Sequence, residues 1–276
     1  MGGMGGPMMG GIPGFGGPMG ENYAAVDFFS PYAHTYDDAP DVVITAGAAI
    51  AYSDPNSSVM ILADGGNTIT INTTSFISNG SLTGGSGADN VIMSGMGAVG
   101  TIDLMAGSDS LMLANGGGSS ITISNVEYIN GGTGSDTIVF SGAGATSING
   151  SQGADIFTCS ATAGAAYTFK YTALNTVGDT INGFVSATDN FLFSRSAFLG
   201  DTDTSGNNDG VLNFLQSGAG LTSVATGVAN SDKTYWVRND TTKDLYYDAD
   251  ADGGGTGVLV ANLDAAVALA DINFIA

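Results

Sequence analysis

The chain has one cysteine, one histidine, two glutamates and five basic residues among 276, and each scarcity excludes a class of structure or chemistry. Cys159 stands alone, so no intramolecular disulfide can hold the fold together. With His34 as the sole histidine, an H-E-x-x-H zinc site is impossible, and a Ser-His-Asp arrangement would have to be built on that one residue. The G-x-S-x-G elbow is absent as well. Glu21 and Glu127 are the only glutamates, and the spacing pairs neither with an aspartate as an acid/base couple. Five Lys and Arg against 26 Asp and Glu exclude a nucleic-acid binder. The longest apolar stretch, residues 42–52, is too short to cross a bilayer as a helix. The first twenty residues lack the basic and continuous apolar regions of the usual secretory signal peptide.

Glu, Lys, Arg and Leu, on which helices draw, are also thin on the ground, while the chain carries 44 glycines and many Ser, Thr, Asn and Asp. Short runs rich in Val, Ile, Phe and Thr alternate with Gly, Asn and Asp turns, the pattern of an all-β sandwich, barrel or solenoid. The net charge of −21 is unevenly built: residues 1–169 hold 13 acidic groups and no Lys or Arg. A compact chain of that kind repels itself unless counter-cations sit at fixed places.

Residues 1–20 form a Gly/Met-rich arm too poor in core-forming side chains to order alone. Two readings are open for it: a neighbouring subunit holds it, or it tucks back along its own domain. Residues 21–80 read as an N-terminal β region, with strands in VVITAGAAIAY, SVMILA and NTITINTTSF. Beyond it the sequence repeats. Residues 84–92 (GGSGADNVI) and 131–139 (GGTGSDTIV) both match the nonapeptide G-G-x-G-x-D-x-U-x, where U is a large apolar residue. LMAGSDSLM at 104–112 and GSQGADIFT at 150–158 keep the same frame. In this frame glycines permit a tight turn with unusual dihedrals, carbonyls and an Asp carboxylate point inward, and the apolar residue starts a short strand. Val91, Leu111, Ile138, Ile148 and Phe157 are then expected to stack as the core. An all-oxygen ligand set favours calcium over zinc.

These residues resemble the RTX, or hemolysin-type calcium-binding, repeat family over roughly residues 80–276. The resemblance implies a parallel β-roll with calcium in its turns, the roll occupying 81–165. It also implies Asp89, Asp109, Asp136 and Asp155 as carboxylate ligands, with backbone around Gly84, Gly87, Gly131 and Gly134 completing the sites. One full coil is about eighteen residues, yet the Asp-to-Asp steps are 20, 27 and 19. Either Asp109 and Asp136 lie on opposite edges of the roll, or residues 113–130 contain an insertion that restores a single row.

Residues 166–276 resemble the roll-closing and C-terminal secretion region of serralysin-type, type I-exported proteins. That likeness adds Asp179 and Asp189 as calcium ligands and Ile181, Phe184, Phe191 and Phe193 as core caps. The acidic clusters at 201–210 and 248–254 resemble EF-hand starts but have Leu212 and Leu259 where the loop's Glu belongs, and read as solvated turns. Asp37 and Asp38 beside His34 read as a surface turn, Cys159 as a buried thiol, and Tyr235, Trp236, Tyr246 and Tyr247 as core rather than a sugar platform.

The expectation is a non-enzymatic, secreted protein of a Gram-negative bacterium, exported by a type I system, that folds on Ca2+ outside the cell. It would self-associate as a surface layer or extracellular filament, possible contacts lying in residues 1–40. The alternative is a soluble carbohydrate-binding or adhesive module.

Overall fold

A computed structural model describes residues 42–44, 49–52, 59–71, 80–94, 97–198, 216–222, 236–248 and 257–275. Among them it is all β apart from two short 3-10 turns, Leu174–Thr176 and Leu269–Asp271. The chain begins with β1 (Val42–Ile44), β2 (Ala49–Tyr52), β3 (Val59–Leu62) and β4 (Thr68–Ile71). It continues through β5 (Gly80–Thr83), β6 (Asn90–Met93), β7 (Val99–Asp103), β8 (Ser110–Met112), β9 (Ser120–Ser124) and β10 (Tyr128–Asn130). Next come β11 (Thr137–Phe140), β12 (Gly144–Asn149), β13 (Ile156–Thr158), β14 (Ala165–Tyr171), β15 (Asp179–Asn182) and β16 (Asn190–Ser194). The last strands are β17 (Gln216–Gly218), β18 (Trp236–Asn239), β19 (Leu245–Tyr247), β20 (Val258–Leu263) and β21 (Ile272–Ile275).

Odd-numbered strands from β1 to β15 form one sheet and even-numbered strands from β2 to β16 the other, each pairing in parallel with the strand two places on. This is a parallel β-solenoid: every coil gives one strand to each sheet and buries its apolar side only against its neighbours. The strand sequences dictate it. Alternating burial, as in Thr68–Ile71 or Asn90–Met93, turns every second residue inward, each of them apolar.

In register, Ile69, Val91, Leu111, Ile129, Ile148, Phe169, Phe191 and Ile272 form one unbroken interior row. On the other sheet Ile121, Ile138, Phe157, Ile181 and Leu263 do the same. All five residues expected in the core are buried, as are Ile181, Phe184, Phe191 and Phe193. Towards the C-terminal end the filling turns aromatic. Phe193 and Trp236 have ring centroids 4.2 Å apart, and Trp236 and Tyr247 5.1 Å. Each such ring contributes roughly 2–3 kcal/mol of burial.

The coils extend past residues 81–165 in both directions. β1 to β4 are already coils of the same solenoid, and β20 and β21 continue the two sheets beyond β15 and β16. After β16 the chain leaves the stack and returns through the antiparallel neighbours β18, β19 and β20, which widen one sheet only. The 1–20 arm, His34, Asp37, Asp38, Tyr235 and the 201–210 cluster lie outside the described residues; of the 248–254 cluster only Asp248 is described, and it is buried.

Candidate cation-binding turns

The nonapeptide turns sit where one sheet passes to the other, and their aspartates face inward. Asp89, Asp109, Asp136, Asp155, Asp179 and Asp189 are all at most 2 % exposed. Burying a carboxylate is costly unless its lone pairs are used, and a repeated contact uses one oxygen of each. The N–H of Asp89 donates to Asp109 Oδ1 at 2.7 Å, that of Asp136 to Asp155 Oδ1 at 2.8 Å, and that of Asp155 to Asp179 Oδ1 at 3.0 Å. Each carboxylate thus staples the coil before its own.

The staples form two rows on opposite edges. The first leads into the even-numbered sheet and runs Asn67, Asp89, Asp109, Glu127. The second leads into the odd-numbered sheet and runs Ser119, Asp136, Asp155, Asp179. This resolves the two readings of the 27-residue step: Asp109 and Asp136 belong to different edges, and no insertion is needed. Asp189, whose Oδ1 accepts the N–H of Tyr167 at 2.9 Å, returns to the first edge.

The second oxygen divides the six aspartates into two groups. Asp89 Oδ2 accepts the N–H of Gly85 at 3.2 Å, Asp189 Oδ2 that of Val185 at 2.8 Å, and Asp179 Oδ2 the hydroxyl of Tyr171 at 2.9 Å. Asp109, Asp136 and Asp155 have no partner for Oδ2, although it is buried. Burial, offset in part by the backbone hydrogen bond each accepts, pushes all three carboxyls up to about 6. Asp179 rises to about 7, again through burial first. None of the six bonds a Lys or Arg among the described residues; the ion pair found there is Arg238–Asp240.

The glycines of the pattern serve close approach. A Cβ on Gly87 would lie 2.3 Å from the Gly65 carbonyl carbon and the Gly66 nitrogen; on Gly84, 2.5 Å from the Leu104 oxygen. On Gly131 it would lie 2.5 Å from the Gly150 oxygen, and on Gly134, 2.6 Å from the Gly117 carbonyl. None of these four has a positive φ, so the unusual dihedrals expected of the turn glycines are not what they supply. The need is room for a neighbouring coil.

The spare, buried carboxylate oxygens, one on the first edge and two on the second, have the donor chemistry that a hard cation prefers. Among the described residues no three His, Cys, Asp or Glu side chains converge, so a cation here would draw its remaining ligands from main-chain oxygens and water, as calcium sites commonly do.

The nonapeptide pattern marks neither the row members Asn67, Ser119 and Glu127 nor Tyr171, which donates to the last aspartate of the second row. Asp264 and Asp271 also accept backbone N–H groups across the closing coils, Asp264 from Gly183 at 2.6 Å and Asp271 from Ala187 at 2.9 Å. Elsewhere, Cys159 is a buried thiol held protonated by that burial, and Trp236 and Tyr247 are core residues. No helix among the described residues is long and apolar enough to cross a membrane. No family model matches the chain, and no curated protein matches it.

Proposed function

We propose that this is a secreted structural protein whose solenoid folds when calcium fills the two edge rows, and which then self-associates as a surface layer or extracellular filament. The observation that carries the reading is the set of spare buried oxygens on Asp109, Asp136 and Asp155, in a chain of net charge −21. Without a cation, ionised carboxylates stacked one coil apart oppose the compact state. Calcium near ~1 mM, the weak end of calcium-site affinities, supplies the missing charge, and its binding energy becomes folding energy. In a calcium-poor cytosol the same chain stays loose enough for a type I exporter. The RTX-like turns at 84–92 and 131–139 and the serralysin-like C-terminal region support that route and a Gram-negative source.

Self-association rests on the scarcity of catalytic groups and on parallel strands at the ends of a stack, where β-augmentation adds further strands. The burial of Trp236 and Tyr247 removes two aromatics that a glycan platform would need.

The test is a calcium titration of metal-free protein followed by far-UV circular dichroism, with electron microscopy of the end point. Cooperative gain of β signal, or of resistance to urea, near millimolar calcium, followed by ordered assemblies, is the expected result. A fold indifferent to calcium refutes the cation reading; calcium-folded but monodisperse monomers refute the assembly.

A further inference from the structure

We infer that Glu127 is a cation ligand in its own right, holding a divalent ion together with Asp109 at the end of the first row, in a coil that has no nonapeptide turn. The inference rests on the cation reading of the rows and adds a site to it. Glu127 lies one coil beyond Asp109, and its Oε2 accepts the Asp109 N–H at 2.7 Å, which fixes its carboxylate against the backbone of the 104–109 turn. Asp109 is fully buried; its Oδ1 is taken by the Asp89 N–H, and its Oδ2 has no partner. Asp89, Asp109 and Glu127 therefore place three acidic groups in three consecutive coils, and the negative charges of Glu127 and Asp89 both act on Asp109.

The second row ends differently. There the last carboxylate, Asp179, receives the Tyr171 hydroxyl on its spare oxygen. In the first row, among the described residues, no neutral donor reaches Asp109 Oδ2. The residue in register beyond Glu127 is Thr146, and its hydroxyl is spent on the Val126 carbonyl at 2.9 Å. Two carboxylates one coil apart, one of them with an orphaned buried oxygen, call for a hard, oxygen-preferring ion, and calcium's tolerance of irregular coordination suits a site completed by main-chain oxygens and water.

The experiment uses the full-length protein and calcium alone. Glu127→Gln keeps an oxygen to accept the Asp109 N–H while removing the charge. Bound-ion stoichiometry by native mass spectrometry and affinity by calorimetry are compared for wild type, Glu127→Gln and Asp136→Asn. Glu127→Gln is expected to lose one ion, or to weaken one site at least tenfold, while Asp136→Asn loses a site on the other edge. Unchanged stoichiometry and affinity in Glu127→Gln overturn the inference; a wild type that binds no calcium overturns the cation reading itself. Tyr128→Phe gives a second readout that does not depend on altering the row, because Tyr128 is adjacent to Glu127 and exposed. Terbium emission sensitised by this ring should fall in the variant, and equal emission counts against an ion at Glu127.

Discussion

Metal-free protein should be more stable at pH 5 than at pH 7.5, the reverse of the usual behaviour of a protein whose carboxylates are paired. The cause lies in four buried groups. Asp109, Asp136 and Asp155 titrate at about 6 and Asp179 at about 7 in the fold, against 3.8 for the ordinary side chain. Between these values the folded state binds more protons than the unfolded chain, so stability rises as pH falls through about 7 to 4 and the penalty is full above the folded values. A rise from 3.8 to about 6 corresponds to roughly 3 kcal/mol per group. Allowing solvent to halve it, four groups destabilise the ionised, metal-free fold by about 6 kcal/mol, comparable with the whole stability of a typical domain at ~5–15 kcal/mol. Urea titrations in EDTA at pH 7.5, 6.5, 5.5 and 5.0, followed by circular dichroism, measure it; the isoelectric point near 4.1 sets the lower limit. The midpoint should climb at each step down, and saturating calcium should flatten the profile by holding the carboxylates ionised. A metal-free midpoint that is constant, or highest at pH 7.5, refutes the reasoning.

Gly87→Ala should cost about 2–4 kcal/mol, because its methyl meets the backbone of Gly65 and Gly66, which cannot swing aside; a denaturation midpoint within error of wild type would show that the coils are less tightly stacked. Tyr171→Phe removes the donor to Asp179 Oδ2 and should destabilise the metal-free protein by about 1–3 kcal/mol at pH 7.5. That loss should shrink at pH 5, where Asp179 carries its own proton; an equal loss at both values counts against the hydrogen bond as its source.

Much of the solenoid was legible because its signals are local. The nonapeptide frame places Asp and the following apolar residue side by side, and the 27-residue step already contained the half-coil offset between Asp109 and Asp136. Glu127 was missed because the coil around it, NVEYIN, has no glycine and replaces Asp with a longer acid; only its 18-residue distance from Asp109 marked it. Asn67 and Ser119 escaped because a neutral side chain can start a row as well as a carboxylate can. Tyr171 reaches Asp179 across the interior, and that contact depends on the depth of the core rather than on any spacing in the chain. The excursion after β16 was illegible for a similar reason: β20 re-enters beside β15 through a pairing of residues about eighty apart in sequence, such as Asp179 with Ala261, that no local spacing marks.

The two staggered rows also make the molecule mechanically two-sided. From Asn67 to Glu127 the seam runs along one edge, and from Ser119 to Asp179 along the other. A load that pries open the seamed edge must break carboxylate staples coil by coil, whereas one that pries the opposite edge meets sheet hydrogen bonds without them. The stapled side changes over between Glu127 and Ser119 and returns to the first edge with Asp189, so the solenoid resists bending in different senses along its length.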